Sequence, residues 1–174
     1  MSLKKNFAAI ILTSTLLLLV GCNDETLADA KSDESSIESH ETAEKDFLYE
    51  NEAFGIRISQ SMEWRLESEK ESDNLTVVLN HNKLSAIVSS VSSTNTFEDI
   101  KKELLKGADK VSIIAEEDGY LSYKSKLKEP VRTDVYFEEH NDSKNYIIVF
   151  MSPSSEYEAN QPEIESLLSN INLN

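Results

Sequence analysis

The sequence predicts an α+β fold in which helices pack on the faces of an antiparallel sheet. Beyond residue 47 the apolar residues fall mainly in short β-rich runs separated by turn-forming residues, a pattern typical of hairpins. Two amphipathic segments, residues 96–110 and 163–172, have helical spacing and come after runs of hairpins. Helices placed among hairpins favour an antiparallel sheet with covered faces.

Composition limits the classes of function. The chain has 174 residues, 39% of them apolar, which is enough for one modest core. Its formal net charge of −15 disfavours a nucleic-acid partner, because phosphate binding depends on Lys and Arg. The single Cys forms no internal disulfide and has no zinc-ligand spacing around it. We therefore expect no metal and no cofactor.

The amino terminus has the pattern of an export signal. Lys4 and Lys5 precede a mainly apolar run, residues 7–20. Its fourteen residues suit the hydrophobic region of a signal and are fewer than the roughly 20 that a membrane-spanning helix needs.

The end of this run, Leu19-Val20-Gly21-Cys22, resembles the lipobox of bacterial lipoproteins. The resemblance implies that the Cys22 sulfur receives a diacylglycerol and that cleavage occurs between Gly21 and Cys22. Residues 1–21 would then be a lipoprotein signal peptide, and the mature chain would be anchored in the cell membrane and face outside the cytoplasm. An uncleaved membrane anchor and an ordinary secretory signal are the alternatives.

Residues 22–46 are interpreted as the lipidated Cys followed by a tether. The segment after Cys22 is rich in Asp, Glu, Ser and Thr and contains no aromatic residue. Such a composition offers too little apolar surface to offset chain entropy, so it predicts disorder. The tether is expected to act as a spacer, and the alternative is that it binds a cationic partner.

A single globular domain is predicted for residues 47–174. Phe54, Ile56 and Ile58 alternate with smaller or polar residues, which indicates a half-buried strand. Residues 74–79 and 84–91 are β-rich runs on either side of "NHNK" and predict a hairpin. A helix follows over residues 96–110, where Thr96 and Asp99 have the spacing of a capping box.

The second half of the domain is predicted to contain two hairpins and a closing helix. Asp118-Gly119 is a favoured hairpin turn within residues 111–127. Residues 131–139 and 145–151 predict a second hairpin, and Pro153 is expected to end its last strand. Pro162 is placed in the first turn of a closing helix, which has one apolar face: Ile164, Leu167, Leu168 and Ile171. The predicted order is β-ββ-α-ββ-ββ-α.

The stretch "FGIRISQSMEWRLE" at residues 54–67, with its Trp64, and the closing "EIESLLSNIN" at residues 163–172 resemble the PsbP-like group of α/β/α sandwiches. This group includes extrinsic photosystem subunits, Ran-regulating proteins of the Mog type and DcrB-like bacterial lipoproteins. The resemblance implies the PsbP-like α/β/α sandwich fold over residues 47–174. It also implies a binding or assembly role, since most members of the group are not catalysts.

Few residues of the predicted domain point to catalysis. His81 and His140 both fall in predicted turns, where polar residues are expected whatever the function, and catalytic bases or metal ligands are the alternative. Two acidic groups precede turns, and solvated charge is preferred over an acid/base pair because adjacent strand residues face opposite sides. These groups are Glu116-Glu117-Asp118 and Glu138-Glu139.

Trp64 is interpreted either as a packing residue or as a contact for a partner. The sequence as a whole predicts a noncatalytic binding or assembly module with a protein partner. The alternative is a small extracytoplasmic hydrolase that uses carboxylates or a turn His. A solute-binding receptor is disfavoured, because residues 47–174 are too few for a two-lobed clamp.

Overall fold

The computed structural model describes residues 47–60, 63–108 and 110–174, which belong to one compact unit. The predictions for residues 1–46 lie outside these described residues. They comprise the signal peptide, cleavage after Gly21, lipidation of Cys22 and the tether.

Within the described ranges the chain forms ten strands and two helices. Their order is β1 (Phe47–Asn51), β2 (Ile56–Ser59), β3 (Arg65–Glu71), β4 (Leu75–His81), β5 (Leu84–Ser92), α1 (Phe97–Gly107), β6 (Val111–Glu117), β7 (Tyr120–Ser125), β8 (Val131–Glu139), β9 (Lys144–Pro153), α2 (Tyr157–Asn170) and β10 (Ile171–Leu173).

The strands form two antiparallel sheets. The larger sheet has seven strands in the order β3-β4-β5-β9-β8-β7-β6, and the smaller has three in the order β1-β2-β10. Each pair of neighbouring strands in the large sheet is antiparallel. Helix α1 connects β5 to β6, and these two strands lie four positions apart in the sheet.

Both faces of the large sheet bear apolar residues. One face, called the main-core face, packs against the small sheet and α2. Its buried residues alternate along the central strands, as period-two geometry requires: Leu75, Val77, Leu79, Leu84, Ala86, Val88, Tyr146, Ile148 and Phe150. The opposite face packs against α1 through a smaller cluster around Leu121, Tyr123, Val135 and Val149. The predicted α+β class, with helices on the faces of an antiparallel sheet, is confirmed.

The start of α1 follows the sequence prediction. The Thr96 hydroxyl accepts from the Asp99 backbone N–H at 3.2 Å, and the Asp99 carboxylate accepts from the Thr96 N–H at 3.2 Å. This reciprocal capping box also lowers the pKa of Asp99, through its hydrogen bonds to the Thr96 side chain and backbone. The helix ends at Gly107, three residues before the predicted end at 110.

Three strands have no counterpart in the predicted order. Every residue of β3 is exposed, so the strand lacks the apolar alternation that marks a half-buried strand. It is held at the sheet edge by pairing with β4. Strands β1 and β10 are short and flank β2, and this small sheet joins residues from the two ends of the domain.

The closing helix is longer than predicted at its start. It begins at Tyr157, so Pro162 lies inside the helix and the prediction that it occupies the first turn is wrong. Tertiary contacts hold this extra turn: the Tyr157 hydroxyl binds Asp134, and the Asn160 amide donates to Ser152 Oγ at 2.8 Å. At the other end Ile171 was expected on the helix and instead begins β10.

Neither helix in the described part of the chain is long and apolar enough to cross a membrane.

Candidate functional site

The structure corrects the prediction that His81 lies in a turn. His81 is the last residue of β4 and pairs with Leu84, so only Asn82 and Lys83 form the turn. Asn82 has a φ of 52°, a left-handed conformation that Asn tolerates. The His81 side chain is 6% exposed and its ring centroid lies 5.8 Å from that of Trp64. His81 is therefore a buried residue at one end of the sheet.

Trp64 is a core residue. Its side chain is 2% exposed and packs edge-on against Phe150, with ring centroids 6.4 Å apart. A ring in this position presents no surface to a partner. Trp64 is therefore a packing residue, and the alternative interpretation, that it contacts a partner, is corrected. Trp64 Nε1 and His81 Nδ1 are both buried without a hydrogen-bond partner.

His140 lies at the opposite end of the sheet from His81. It follows β8, and its backbone N–H donates to Asn145 Oδ1 at 3.2 Å. Asn145 pairs with Val91 near the end of β5, whereas His81 pairs with Leu84 at its start. His140 lines a polar cleft of about 570 Å³. The two histidines thus belong to separate places and do not form one site.

The two acidic groups have different surroundings. Glu116 forms an ion pair with Lys101 of α1 at 2.8 Å, as expected for a surface charge. Glu139 lines the polar cleft beside His140. Asp118 and Glu138, in contrast, together line a second cleft, at the end of the β6–β7 hairpin. The structure therefore brings together one carboxylate from each group, although neither group provides a pair by itself.

This shared cleft is the candidate functional site, and we call it the aromatic cleft. It has a volume of about 340 Å³. Its apolar lining comes from β7, β8, β9, α2 and β10, and its carboxylates come from the turn after β6 and the end of β8. The lining includes Tyr120, Tyr136, Ile148, Leu168, Ile171 and Leu173, with Asp118 and Glu138.

Local geometry explains why the two carboxylates meet. Gly119 has a φ of 72°, so the Asp118-Gly119 turn is tight. The Gly119 carbonyl accepts a hydrogen bond from the Phe137 N–H at 2.8 Å. A Cβ at Gly119 would lie 3.0 Å from the Phe137 carbonyl oxygen. This close approach places Asp118 beside the part of β8 that carries Glu138.

Two tyrosines form the aromatic part of the lining. Tyr120 and Tyr136 are directly opposite each other on β7 and β8, and their ring centroids are 5.0 Å apart. Tyr136 also packs edge-on against Phe150 of the core, at 6.0 Å. The pKa of Tyr136 is raised to about 12, first by burial and then by the neighbouring Tyr120 and Asp134. Tyr136 is therefore neutral at physiological pH and can donate a hydrogen bond.

A buried ionic network lies next to these tyrosines on the same face. Asp134 pairs with Ser122 across β8 and β7, and its side chain is 0% exposed. One carboxylate oxygen accepts from Ser122 Oγ at 2.5 Å and from Arg132 Nε at 3.2 Å, and the other accepts from the Tyr157 hydroxyl. A buried carboxylate needs such partners because desolvation of the charge is costly. The network ties α2 to the sheet beside the aromatic cleft.

Arg132 is the cation of the network. Its guanidinium carbon lies 3.5 Å from the centroid of the Tyr157 ring, within cation–π range. Partial burial alone would lower the pKa of Arg132, but the charge and hydrogen bond of Asp134 raise it. Arg132 therefore stays charged beside Asp134 and Tyr157.

Sequence reasoning named the two carboxylates of this site but not its tyrosines or the neighbouring Asp134. Tyr120, Tyr136 and Asp134 lie on predicted strands, but strand alternation assigns only a face and does not show what covers that face. A partial signal exists in "VRTDVYFEE", residues 131–139, where Asp134 occupies the same face as Tyr136. An acidic residue on the same face of a strand as an aromatic residue indicates either that the face is exposed to solvent or that the acidic residue is a buried polar group.

Comparison with protein families and with curated proteins found no match to this sequence. Among solved structures, the chain is similar to cyanobacterial PsbP (CyanoP) from Synechocystis sp. PCC 6803, with a TM-score of 0.48 and 13% identity. The similarity covers 72% of this chain and 91% of the CyanoP chain.

Two further solved structures are similar. The Ran-binding protein Mog1p of Saccharomyces cerevisiae has a TM-score of 0.45 and 10% identity, over 68% of this chain and 90% of Mog1p. A protein from Bacteroides thetaiotaomicron VPI-5482 has a TM-score of 0.36 and 13% identity, over 69% of this chain and 45% of that protein. CyanoP and Mog1p are of types included in the group that the sequence resembles.

Proposed function

We propose that this protein is a noncatalytic binding or assembly module that a lipid on Cys22 holds at the outer side of the cell membrane. The observation that carries the binding role is the aromatic cleft, an open site with an apolar lining and two carboxylates. Sites of this composition bind a partner through a few apolar anchors and use charged groups to orient it.

The cleft residues favour a protein partner. Tyrosine is enriched at protein interfaces because it combines a large apolar ring with a polar hydroxyl, and Tyr120 and Tyr136 provide two adjacent rings. Asp118 and Glu138 are both exposed. We therefore expect a partner segment with an apolar side chain for the cleft and an adjacent Lys or Arg for the carboxylates.

The anchoring part of the proposal is supported by the amino-terminal sequence. The lipobox-like Leu19-Val20-Gly21-Cys22 follows directly after a fourteen-residue mainly apolar run. Two acyl chains on one Cys give stable membrane binding, which a single chain does not. The acidic segment between Cys22 and Phe47 would then separate the domain from the bilayer.

Recovery of crosslinked partners from membranes tests the binding site. The test variant carries Asp118→Lys and Glu138→Lys, which reverse both cleft charges at exposed positions. The control carries Asp73→Lys and Glu129→Lys, the same change of charge at exposed positions outside the aromatic cleft. We expect the control to recover the same partner as the unmodified protein and the test variant to lose it. Equal recovery by both variants would contradict the proposed site.

A hydrolase is the second candidate, because Asp118 and Glu138 line one cleft and general acid/base catalysis needs two such carboxylates. Asp118→Asn and Glu138→Gln, made separately, distinguish the two functions. If the cleft is catalytic, either change abolishes complementation of a deletion strain. If it binds a partner, each change removes one charge contact, and we expect complementation to persist.

A further inference from the structure

The two edges of the seven-stranded sheet are protected to different degrees. β3 and β6 are the edge strands, and the outer backbone N–H and C=O groups of an edge strand can pair with another chain. Natural edges are usually protected by charged side chains and bulges. Both strands have an irregular register, between Leu66 and Ser68 in β3 and between Ile113 and Ala115 in β6. Bulges alone therefore do not distinguish the two edges.

Charge does distinguish them. β3 reads "RLESEKE", with five charged residues in seven, and all seven residues are exposed. β6 begins "VSIIA", five consecutive residues without a charge. Ile113 and Ile114, in the middle of β6, are 45% and 47% exposed. Adjacent half-exposed isoleucines in the uncharged part of an edge strand are a favourable template for strand addition.

The charges around β6 indicate which chain adds there. Exposed Lys110 lies just before the strand, and exposed Glu117 and Asp118 lie at its other end. Glu116 is already paired with Lys101 of the same chain. If a second copy of β6 pairs in the antiparallel direction, its Lys110 comes beside Glu117 and Asp118 of the first copy, and the reverse contact forms at the other end. The isoleucines then meet in the middle.

We infer that β6 is a self-association edge, through which two copies of this chain join their seven-stranded sheets by antiparallel β6 pairing. A two-fold arrangement of this kind uses both β6 edges and closes at two copies. The charged β3 edges remain outside and disfavour further growth of the sheet. Asp118 borders both the β6 edge and the aromatic cleft, but Lys110, Ile114 and Glu117 do not line the cleft. The inference therefore does not depend on the proposed function.

The acidic segment after Cys22 is a less suitable occupant of this edge. Residues 23–46 contain nine acidic and two basic residues and no aromatic residue. Strand addition by that segment would offer few apolar side chains to Ile113 and Ile114. A second copy provides both the apolar centre and the opposite charges.

Sedimentation equilibrium of the full-length protein in density-matched detergent tests the inference. We expect the unmodified protein to have the mass of two chains. Ile114→Lys should shift it to the mass of one chain, because it places a charge in the centre of the paired edge. Leu66→Lys is the matched control, since Leu66 is 43% exposed on the opposite edge, and this variant should still form a dimer.

Charge reversal tests self-pairing directly. Lys110→Glu and Glu117→Lys, each alone, should raise the dimer dissociation constant by on the order of tenfold. The two single variants should associate when mixed, because each then supplies the charge that the other needs, and one chain carrying both changes should dimerise again.

Three outcomes would overturn the inference. The first is an unmodified protein that stays monomeric, whether or not another protein copurifies with it through β6. The second is a dimer that survives Ile114→Lys or is lost equally in Leu66→Lys. The third is a mixture of the two charge variants that associates no better than either variant alone.

Discussion

The hydroxyl of Tyr157, in the first turn of α2, donates a hydrogen bond to the buried carboxylate of Asp134 on β8. The contact joins a helix to the sheet on the face that carries the aromatic cleft. The contact also explains why α2 begins at Tyr157, five residues before Pro162. The sequence had predicted a later start, with Pro162 in the first turn.

Tyr157→Phe should lower the free energy of unfolding by about 1–3 kcal/mol, because it removes a donor from a buried charged acceptor. Ser122→Ala removes a donor from the other oxygen of the same carboxylate. In a double-mutant cycle measured by urea unfolding, we expect the two changes to be coupled by at least about 0.5 kcal/mol. Strictly additive effects would show that the network does not act as a unit.

Stability should decline in alkaline solution as buried tyrosines ionise. The pKa of Tyr49 is raised from 10.0 to about 12, first by burial and then by its hydrogen bond to Glu69, and that of Tyr136 is also raised to about 12. Because the folded pKa exceeds the unfolded value, the contribution is complete below pH 10 and is lost as the pH rises toward about 12.

The free energy of unfolding, measured at increasing pH, should therefore fall across this window. Tyr49→Phe and Tyr136→Phe should each make the decline shallower, since Phe does not ionise. A flat profile up to pH 12, or Phe variants with the same slope as the unmodified protein, would contradict these pKa shifts.

Trp64→Ala should destabilise the domain by about 3–5 kcal/mol, because it removes a large buried ring and leaves a cavity beside Phe150 and His81. Leu127→Ala is the control, since Leu127 is 67% exposed, and its effect should stay within about 0.5 kcal/mol. Thermal or urea unfolding measures both. A cost near zero for Trp64→Ala would restore Trp64 as a candidate surface contact.

Two glycines should respond to Ala in opposite directions. Gly55 has a φ of 66°, and a Cβ there would lie 1.9 Å from the Asn174 carbonyl oxygen, so Gly55→Ala should be clearly destabilising. Gly107, at the end of α1, has no atom within 4 Å of its added Cβ. Gly107→Ala should stabilise by about 0.5–1 kcal/mol, because Ala reduces the entropy lost on folding. A stabilising Gly55→Ala would show that the carboxyl-terminal contact is absent in solution.

Cys22→Ser tests the anchoring proposal. Without the thiol there is no acyl acceptor, so we expect uncleaved precursor to accumulate and mature-size protein to disappear from the membrane fraction. Immunoblots of fractionated cells, together with metabolic labelling by a fatty acid, measure this. Normal cleavage after Gly21 in the variant would indicate an ordinary secretory signal.

Local features of the sequence were sufficient for much of the secondary structure. The alternation at Ile56 and Ile58, the Asp118-Gly119 turn and the Thr96–Asp99 capping box all depend on residues close in the chain, and each forms as predicted. The α+β class followed from the order of these local elements. The export signal and the lipidation of Cys22 also come from local pattern, and they stay predictions.

Tertiary structure decided the rest, because the deciding contacts join residues far apart in the chain. β3 has no apolar alternation and exists through its pairing with β4, while β10 pairs with β2 from the other end of the domain. His81 and Trp64 are buried because the small sheet and α2 cover their face.

The candidate site shows the same division. Sequence alone marked Asp118 and Glu138 as acidic residues near two turns and set the faces of Tyr120, Tyr136 and Asp134. Only the alignment of β7 with β8 brings the two carboxylates to one cleft. Only the docking of α2 gives Asp134 its partner in Tyr157. Alternation along a strand determines which side a residue faces, whereas the elements that cover that side determine whether it is solvent, core or binding site.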